Sequence, residues 1–420
     1  MTSVSDATRL WAKIGLLSFG GPAGQIALLH KEVVEQRQWL TEKEFLSALN
    51  FCMLLPGPEA MQLATYAGWK LHGVRGGLIA GVLFVLPGAL VILALSTIYA
   101  LLGNVPVVAA LLWGVKAAVL AIVLEALVKV ASRALKMPMD WLTAALAFVA
   151  LFVFALPFPL VILVAGILGF VTGKPSIGTA VSITMPSRSG TIKTLFIWAA
   201  IWLLPLALLH LVLGSSSIFS ELARIFSTLA VVTFGGAYSV LTSLGQDMVE
   251  QTKWLTTQEM MDGLALAETT PGPLILVGQF VAFTAAEKQL DSLWAGLAAS
   301  AVFLWMTFVP CFLWIFAGAP WIEYLQSRPR FSAALAKITA AVVGVILNLS
   351  LWFGLHVIFA RADRLSGPLP IWWPDPSTFD PAALILSLAM GFALLWAKLG
   401  IPKTLALAAL AGLIWKLLAT

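Results

Sequence analysis

The sequence predicts an all-α polytopic membrane protein made of two inverted-topology repeats, each with two re-entrant helical hairpins and about four transmembrane helices. Three observations predict it. The 420 residues are 60% hydrophobic and only 11% charged, against roughly a quarter charged in a soluble domain. Stretches 76–102, 105–130 and 195–213 are overwhelmingly apolar, and a bilayer crossing needs about 20 such residues. A shift of 215 positions also superposes the two halves: Phe19-Gly20-Gly21 falls on Phe234-Gly235-Gly236, Glu35 on Glu250, Trp39-Leu40-Thr41 on Trp254-Leu255-Thr256, Glu44 on Glu259, and Pro56-Gly57-Pro58 on Pro271-Gly272-Pro273. Internal symmetry of this kind marks many secondary transporters. The boundaries that follow are 1–173 for the N-terminal repeat, 174–214 for a linker with one connecting helix, and 215–420 for the C-terminal repeat.

In chain order, the N-terminus "MTSVSDATRL" has no apolar signal core, so no cleavage is expected. The piece from Thr8 to Arg37 is broken by "SFGGP", and the piece from Thr41 to Leu71 by "PGP". Each arm has about 12–16 residues, or roughly 18–24 Å of helix, too short for a hydrocarbon core of about 30 Å. Both pieces therefore read as re-entrant hairpins. Full spans are expected near 76–103, 105–133, 138–157 and 158–173, then a connecting span over 195–213.

Charge sets the orientation. Arg9, Lys13, Lys31, Arg37, Lys43, Lys70, Arg75, Arg133 and Lys136 share one side, while the turns at Asn104 and Pro157 are uncharged. The positive-inside rule makes the first group, and the N-terminus, cytoplasmic. An odd number of crossings inverts the second half and leaves the C-terminus periplasmic, in a bacterial inner membrane. Arg328, Arg330, Lys398 and Lys403 agree with that. The hairpin acids Asp247, Glu250, Glu259 and Asp262 fit an outer surface, whereas Arg361 and Arg364 fall on the wrong side, softened by Asp363.

The breaks point to an anion site. In hydrocarbon, an unpaired backbone amide costs several kcal/mol, so irregular backbone survives only where it lines a cavity. A helix that starts at mid-membrane aims its first N–H groups and about half a positive charge at whatever precedes it. Pro22 and Pro58 suit a first helical position, and glycines let a ligand approach the main chain. Four such tips make an oxyanion cradle without a fixed cationic side chain. The candidate substrate contacts are Ser18, Phe19, Gly20, Gly21, Gln25, Pro56, Gly57, Pro58, Gln62, Thr233, Gly235, Gly236, Thr270, Pro271, Gly272 and Pro273, with Lys116 as an added cation. The plain alternative is that Gly and Pro merely kink these helices.

At these residues the chain resembles the chromate ion transporters. "SFGGPAGQIALLHKEVVEQRQWLTEKEFLSALNFCMLLPGPEAMQLATYAGWKLHGVRGG" is similar to the family's N-terminal signature, and "TFGGAYSVL" and "AETTPGPLILVGQFVAF" to its C-terminal counterpart. The resemblance covers essentially the whole chain in the two-domain form. It implies export of chromate, a divalent tetrahedral oxyanion, with sulfate as its natural mimic.

Three carboxylates are candidate proton carriers. Glu59 sits just after the first break, Glu268 just before the second, and Glu125 lies in an apolar span with Lys116. Against these roles stand a helix-end stabiliser for Glu59, structural pairing for Glu268, and pairing with another helix for Lys116 and Glu125. Lys337 lies near a helix end and is expected to snorkel. Gln25, Gln62 and Gln279 flank the breaks as donors to an oxyanion or to other helices. His30 and His72 read as interface histidines, and most of the seventeen tryptophans as interfacial anchors. The two cysteines, Cys52 and Cys311, read as packing residues. No metal site, cofactor motif, catalytic constellation or nucleic-acid patch is recognised, and the oligomeric state is open, a homodimer included. The competing functions are a sulfate-type uptake transporter and an anion channel, with a membrane reductase disfavoured.

Overall fold

A computed structural model describes residues 2–19, 21–53, 55–103, 105–173, 187–234, 237–322, 329–365 and 370–418. Among the described residues the fold is all-α apart from one short β-hairpin. Six helices among the described residues are long and apolar enough to cross a membrane, which makes this a multi-pass membrane protein. The chain divides into two compact units: unit one is 1–96, 169–240 and 270–335, and unit two is 97–168, 241–269 and 336–420.

Unit one opens with α1 (Val4–Leu17) and α2 (Gly21–His30), separated by the "SFGG" break. A π-helical turn (Lys31–Gln36) extends α2, and α3 (Glu42–Cys52) begins at a capping box in which Thr41 and Glu44 satisfy each other's amides. After the "PGP" break comes α4 (Glu59–Leu102), whose regularity fails at His72 and Gly73. There the chain doubles back. A Cβ on Gly68 or Gly76 would strike the other's carbonyl, and one on Gly81 would strike the Thr65 hydroxyl. Residues eight apart in a straight helix would stand about 12 Å from each other, so α4 is two helices, 59–71 and 74–102, that fold back on each other at 72–73. The second lies within two residues of the expected span 76–103.

The rest of unit one is α8 (Arg188–Leu213), α9 (Ile218–Val232), α12 (Val277–Leu290) and α13 (Leu293–Gly318). Helix α13 packs against α8, α9 and α12. Phe303 fills the space beside Gly278 and meets Phe226 edge-on at 4.8 Å, while Phe283 does the same for Gly296. Small residues opposite large rings are how helices approach closely in lipid.

Unit two is centred on α5 (Pro106–Ala134). Against it lie α11 (Thr257–Glu268), α15 (Pro381–Leu395) and α16 (Ile401–Leu418). Gly114 and Gly412 bring α5 and α16 to backbone contact. On α14 (Pro329–Ile358), Gly344 does the same with α6 (Pro138–Phe152). Helices α6 and α7 (Phe158–Thr172) have 15 residues each, about 22 Å; α7 keeps to the expected 158–173 within one residue, whereas α6 ends at Phe152, before the expected 157. The cause is local. Ala155 takes a φ of 51°, and Leu156, preceding Pro157, is disfavoured in helix.

After α14 the chain forms an antiparallel hairpin of β1 (Ala362–Arg364) and β2 (Trp372–Pro374), which the hydropathy pattern does not announce.

Several local features recur at or within one residue of the 215-residue shift. Alongside the π-turn at 31–36 there is one after α10 (Ala237–Leu244), at Gly245–Gln251. Gln38 and Lys253 have φ of 51° and 55°. Capping boxes sit at Thr41–Glu44 and Thr256–Glu259. Gly57 and Gly272 have φ of 111° and 92°. One difference follows the breaks: α4 starts directly at Glu59, but a 3-10 turn, Leu274–Leu276, precedes α12.

Candidate functional site

Both "PGP" breaks lie in unit one, and each is tied to the chain end that terminates a helix of the other half. The Gly57 N–H donates to the Thr233 carbonyl at 2.9 Å, and the Gly272 N–H donates to the Ser18 carbonyl at 2.9 Å. Since 57 corresponds to 272 and 18 to 233, these two bonds are one contact made twice. Ser18 and Thr233 are 0% and 1% exposed. The Ser18 hydroxyl donates to the Gly15 carbonyl and accepts from Gly272 N–H at 3.2 Å, and the Thr233 hydroxyl donates to Leu229. The main chain that the breaks leave unpaired is thus satisfied within the protein, as a low-dielectric setting demands.

The glutamines complete this network. Gln25 Nε2 donates to the carbonyls of Gly272 at 2.7 Å and Ser18 at 3.2 Å, Gln62 Nε2 to Pro56 at 2.7 Å, and Gln279 Nε2 to Ala89 at 3.1 Å. All three side chains are buried. Of the two uses the sequence allows, bonding within the protein is the one seen. The side-chain oxygens of Gln62 and Gln279 are buried without a partner.

Gly57 and Gly272 are required by their own backbone. Their φ values suit glycine, and a Cβ on Gly57 would stand 3.0 Å from both Cys311 Sγ and Gln62 Nε2. On Gly272 it would stand 3.1 Å from Leu276 Cδ1 and 3.3 Å from Gly88 Cα. Pro56, Pro58, Thr270, Pro271 and Pro273 are buried with them. Open space lies instead at the first break: nothing is within 4 Å of a Cβ built on Gly21, and Phe19 is 39% exposed. Gly20, Gly235 and Gly236 lie outside the described residues. Glu59 is the first residue of α4 and half-buried. That is the helix end where a carboxylate is favoured. Cys52 and Cys311 are free and buried, and Cys311 packs beneath Gly57.

The other candidates belong to unit two. Lys116 on α5 is 4% exposed, and its Nζ stands 2.7 Å from Oδ1 of Asp262 on α11, itself 4% exposed. The Tyr99 hydroxyl donates to the other oxygen of Asp262 at 2.8 Å. Asp262 therefore corrects its reading as an outer-surface acid: three elements enclose it, and the buried ammonium offsets its charge. Glu125 pairs along its own helix with Lys129 at 2.6 Å, and Glu268 is buried at the last residue of α11. Lys337 does not snorkel. Asp140 on α6 holds it at 2.8 Å with both side chains largely buried. Among the described residues, no group of three or more His, Cys, Asp or Glu side chains is placed to hold a metal.

What this arrangement offers is a pair of helix origins with satisfied turns and proline-defined starts. The pattern of the chromate transporter family matches residues 6–170 and 220–413. A probable chromate transport protein of Synechococcus elongatus is 27% identical over 399 residues, covering 94% of this chain and 96% of its own. The chromate transport protein of Cupriavidus metallidurans is 26% identical over 410 residues (96% and 90%), and that of Pseudomonas aeruginosa 31% identical over 340 (80% and 77%). No solved structure matches the chain. With the family pattern spanning both halves and both breaks, this chain belongs to the chromate transporter family.

Proposed function

We propose that the protein is a secondary transporter that moves chromate out of the cell, taking the dianion at the helix origins beside the two "PGP" breaks. The reciprocal bonding of Gly57 with Thr233 and Gly272 with Ser18 carries this reading, because it holds broken backbone ready-made in a membrane protein. Binding relies on the first amides of α2 and α4 and on their dipoles, with the open edge at Phe19 and Gly21. Halves 1–173 and 215–420 are read as inverted repeats joined through 174–214, with the N-terminus cytoplasmic and the C-terminus periplasmic. Labelling of cysteines introduced at both ends checks that, and finding them on one side would remove it.

Direction follows from charge. Expelling a dianion from an inside-negative cell gains about 4.6 kcal/mol per 100 mV, twice the ~2.3 per unit charge. That corresponds to a gradient of roughly 2,000-fold without any coupling ion. Uptake of the same dianion, as for sulfate, works against that energy and needs three or more protons per cycle. Glu59 is the proposed proton carrier where antiport contributes. Lys116 enters this reading as a charge held by Asp262, not as an open cation.

The test is chromate flux in inside-out vesicles with voltage and pH gradient imposed separately and sulfate as competitor. Accumulation driven by an inside-positive potential is expected. Flux that ignores both gradients while conducting as single channels would replace the transporter with a channel.

A further inference from the structure

Three ion pairs stitch together the segments of the first repeat's two broken pieces, all within unit one. Lys13 on α1 meets Glu32 on the π-turn, His30 at the end of α2 meets Glu42 at the start of α3, and Glu44 on α3 meets Lys70 on α4. The middle stitch differs from the others, because its cation titrates near neutral pH. His30 Nε2 stands 2.7 Å from Glu42 Oε2, and its Nδ1 stands 3.2 Å from Glu35 Oε1 on the π-turn. Phe45 of α3 meets the ring edge-on at 5.0 Å. Among the described residues Glu35 and Glu42 are the charged groups that face the ring, and the flanking Lys13 and Lys70 are held by Glu32 and Glu44.

A neutral imidazole has one N–H and one acceptor nitrogen, so it can donate to only one of two flanking carboxylates. The imidazolium donates to both. Its hydrogen bond to Glu42, and then the charges of Glu42 and Glu35, accordingly hold the ring above the ordinary 6.5. The contribution of this clasp is therefore complete below about pH 6.5 and is lost as pH rises through the higher folded value.

The second repeat forms the same local structure without the clasp. At the 215-residue shift Glu32, Glu35 and Glu44 fall on Asp247, Glu250 and Glu259, but Lys13 falls on Thr228, His30 on Gly245, Glu42 on Thr257 and Lys70 on Ala285. The π-turn, the positive-φ residue and the capping box are all present there. Folding of the turn thus gives no reason for the clasp, whereas its position does. Helix α2 runs ten residues from Gly21 to His30, about 15 Å. The open edge of the proposed anion site lies at one end and the clasp at the other.

We propose that His30 is a positioning residue for transport: as an imidazolium between Glu35 and Glu42 it fixes α2 against α3, and losing its proton loosens α2 and weakens its hold on the dianion. This role rests on the transport reading for the identity of the substrate.

The test is chromate flux in inside-out vesicles with pH equal on both sides, so that no gradient contributes. The side chains of Glu35 and Glu42 are 60% and 58% exposed, which sets a modest scale. For wild type the apparent KM should rise roughly two- to fivefold between about pH 6 and about pH 9, with little change in maximal rate. His30→Lys carries a charge that does not titrate over that range and should keep the low KM throughout. His30→Gln should show the high KM throughout. Glu42→Gln should move the midpoint down toward 6.5. Protonation of the anion itself is common to all four proteins, so each profile is read as a ratio to His30→Lys. A wild-type profile that coincides with either His30 variant would overturn the proposal. If a His30 variant fails to insert, the midpoint of Glu42→Gln against wild type decides.

A second readout needs no flux. Spin labels at Ala27→Cys on α2 and Lys43→Cys on α3, both exposed positions, should give a distance distribution that broadens as pH rises. With His30→Lys in the same protein it should stay narrow. Absent flux in wild type sinks the transport reading and leaves the label distances to judge the clasp. Normal flux with distances that ignore pH sinks the clasp alone.

Discussion

Removing one member of the buried Lys116–Asp262 pair tests how unit two tolerates charge. Lys116→Met strands an aspartate enclosed at 4% exposure, and Asp262→Leu strands an equally buried ammonium. Breaking a buried pair from one side costs about 3–5 kcal/mol, because an uncompensated charge remains where water cannot reach. The double variant removes both charges. Its main loss is the hydrogen bond from the Tyr99 hydroxyl, worth about 0.5–1.5 kcal/mol. Simple addition of the single losses predicts about 6–10 kcal/mol, so the cycle should show a coupling of several kcal/mol, with the double variant more stable than either single one. Unfolding by sodium dodecyl sulfate in mixed micelles measures all four proteins against one reference. If the single losses add to the double within about 0.5 kcal/mol, the ion pair is not the element that holds α5 to α11, and this reasoning is wrong.

Gly57→Leu and Gly272→Leu should abolish chromate flux, since both positions combine a positive φ with a filled Cβ site. Gly57→Ala and Gly272→Ala should each cost about 1–3 kcal/mol from backbone strain alone, seen as a lower unfolding midpoint, and normal flux in both leucine variants would remove the breaks from the site. Glu59→Gln should retain exchange at equal pH and lose its acceleration by a pH gradient, whereas a retained acceleration would leave Glu59 as a helix-end stabiliser worth about 0.3–1 kcal/mol. Glu44, held by the Lys70 ammonium and then by the Thr41 amide and hydroxyl, has its carboxyl lowered to about 2 from an ordinary 4.5. Its contribution to stability is therefore present above about pH 4.5 and is lost as pH falls toward about 2. Glu44→Gln should flatten the acid limb of the unfolding midpoint against pH over that window, and an unchanged limb would count against the Lys70 contact.

What could be read from the sequence divides along physical lines. The hairpin arms, the breaks and the span 74–102 follow from hydropathy, proline and glycine, which act within a few residues and leave a local mark. The repeat needs only a fixed offset, and the capping boxes at Thr41 and Thr256 sit inside it. Partners are another matter. Lys116 stands out as a charge in an apolar run, yet nothing near it in sequence points to Asp262, 146 residues on. The same holds for Lys337 and Asp140. The early end of α6 did have a signal, the proline at 157, which limits the residue before it. The β-hairpin at 362–374 had a weaker one in its proline- and tryptophan-rich second strand.

The exchange of bonds between the breaks bears on how a site there can work. A single main-chain bond contributes only about 0.5–1.5 kcal/mol net, too little to clamp a moving helix. Here each break glycine is held by the chain end of a helix from the other half, and Gln25 spans both Ser18 and Gly272. Moving one break alone would leave buried donors and acceptors unpaired on both sides, at about 1–3 kcal/mol for each group. Moving Gly57 alone unpairs two such groups, its N–H and the Thr233 carbonyl, so independent motion is disfavoured beyond the strength of that one bond. Motion that carries each break together with the helix end that holds it leaves every partner in place. Alternating access by rocking around a fixed site has that property, and it requires the prolines and glycines to build a rigid centre, not a hinge. On the transport reading proposed above, the hinges belong where the chain turns without such ties, as at His72 and Gly73, where a Cβ on the glycine would meet nothing within 4 Å.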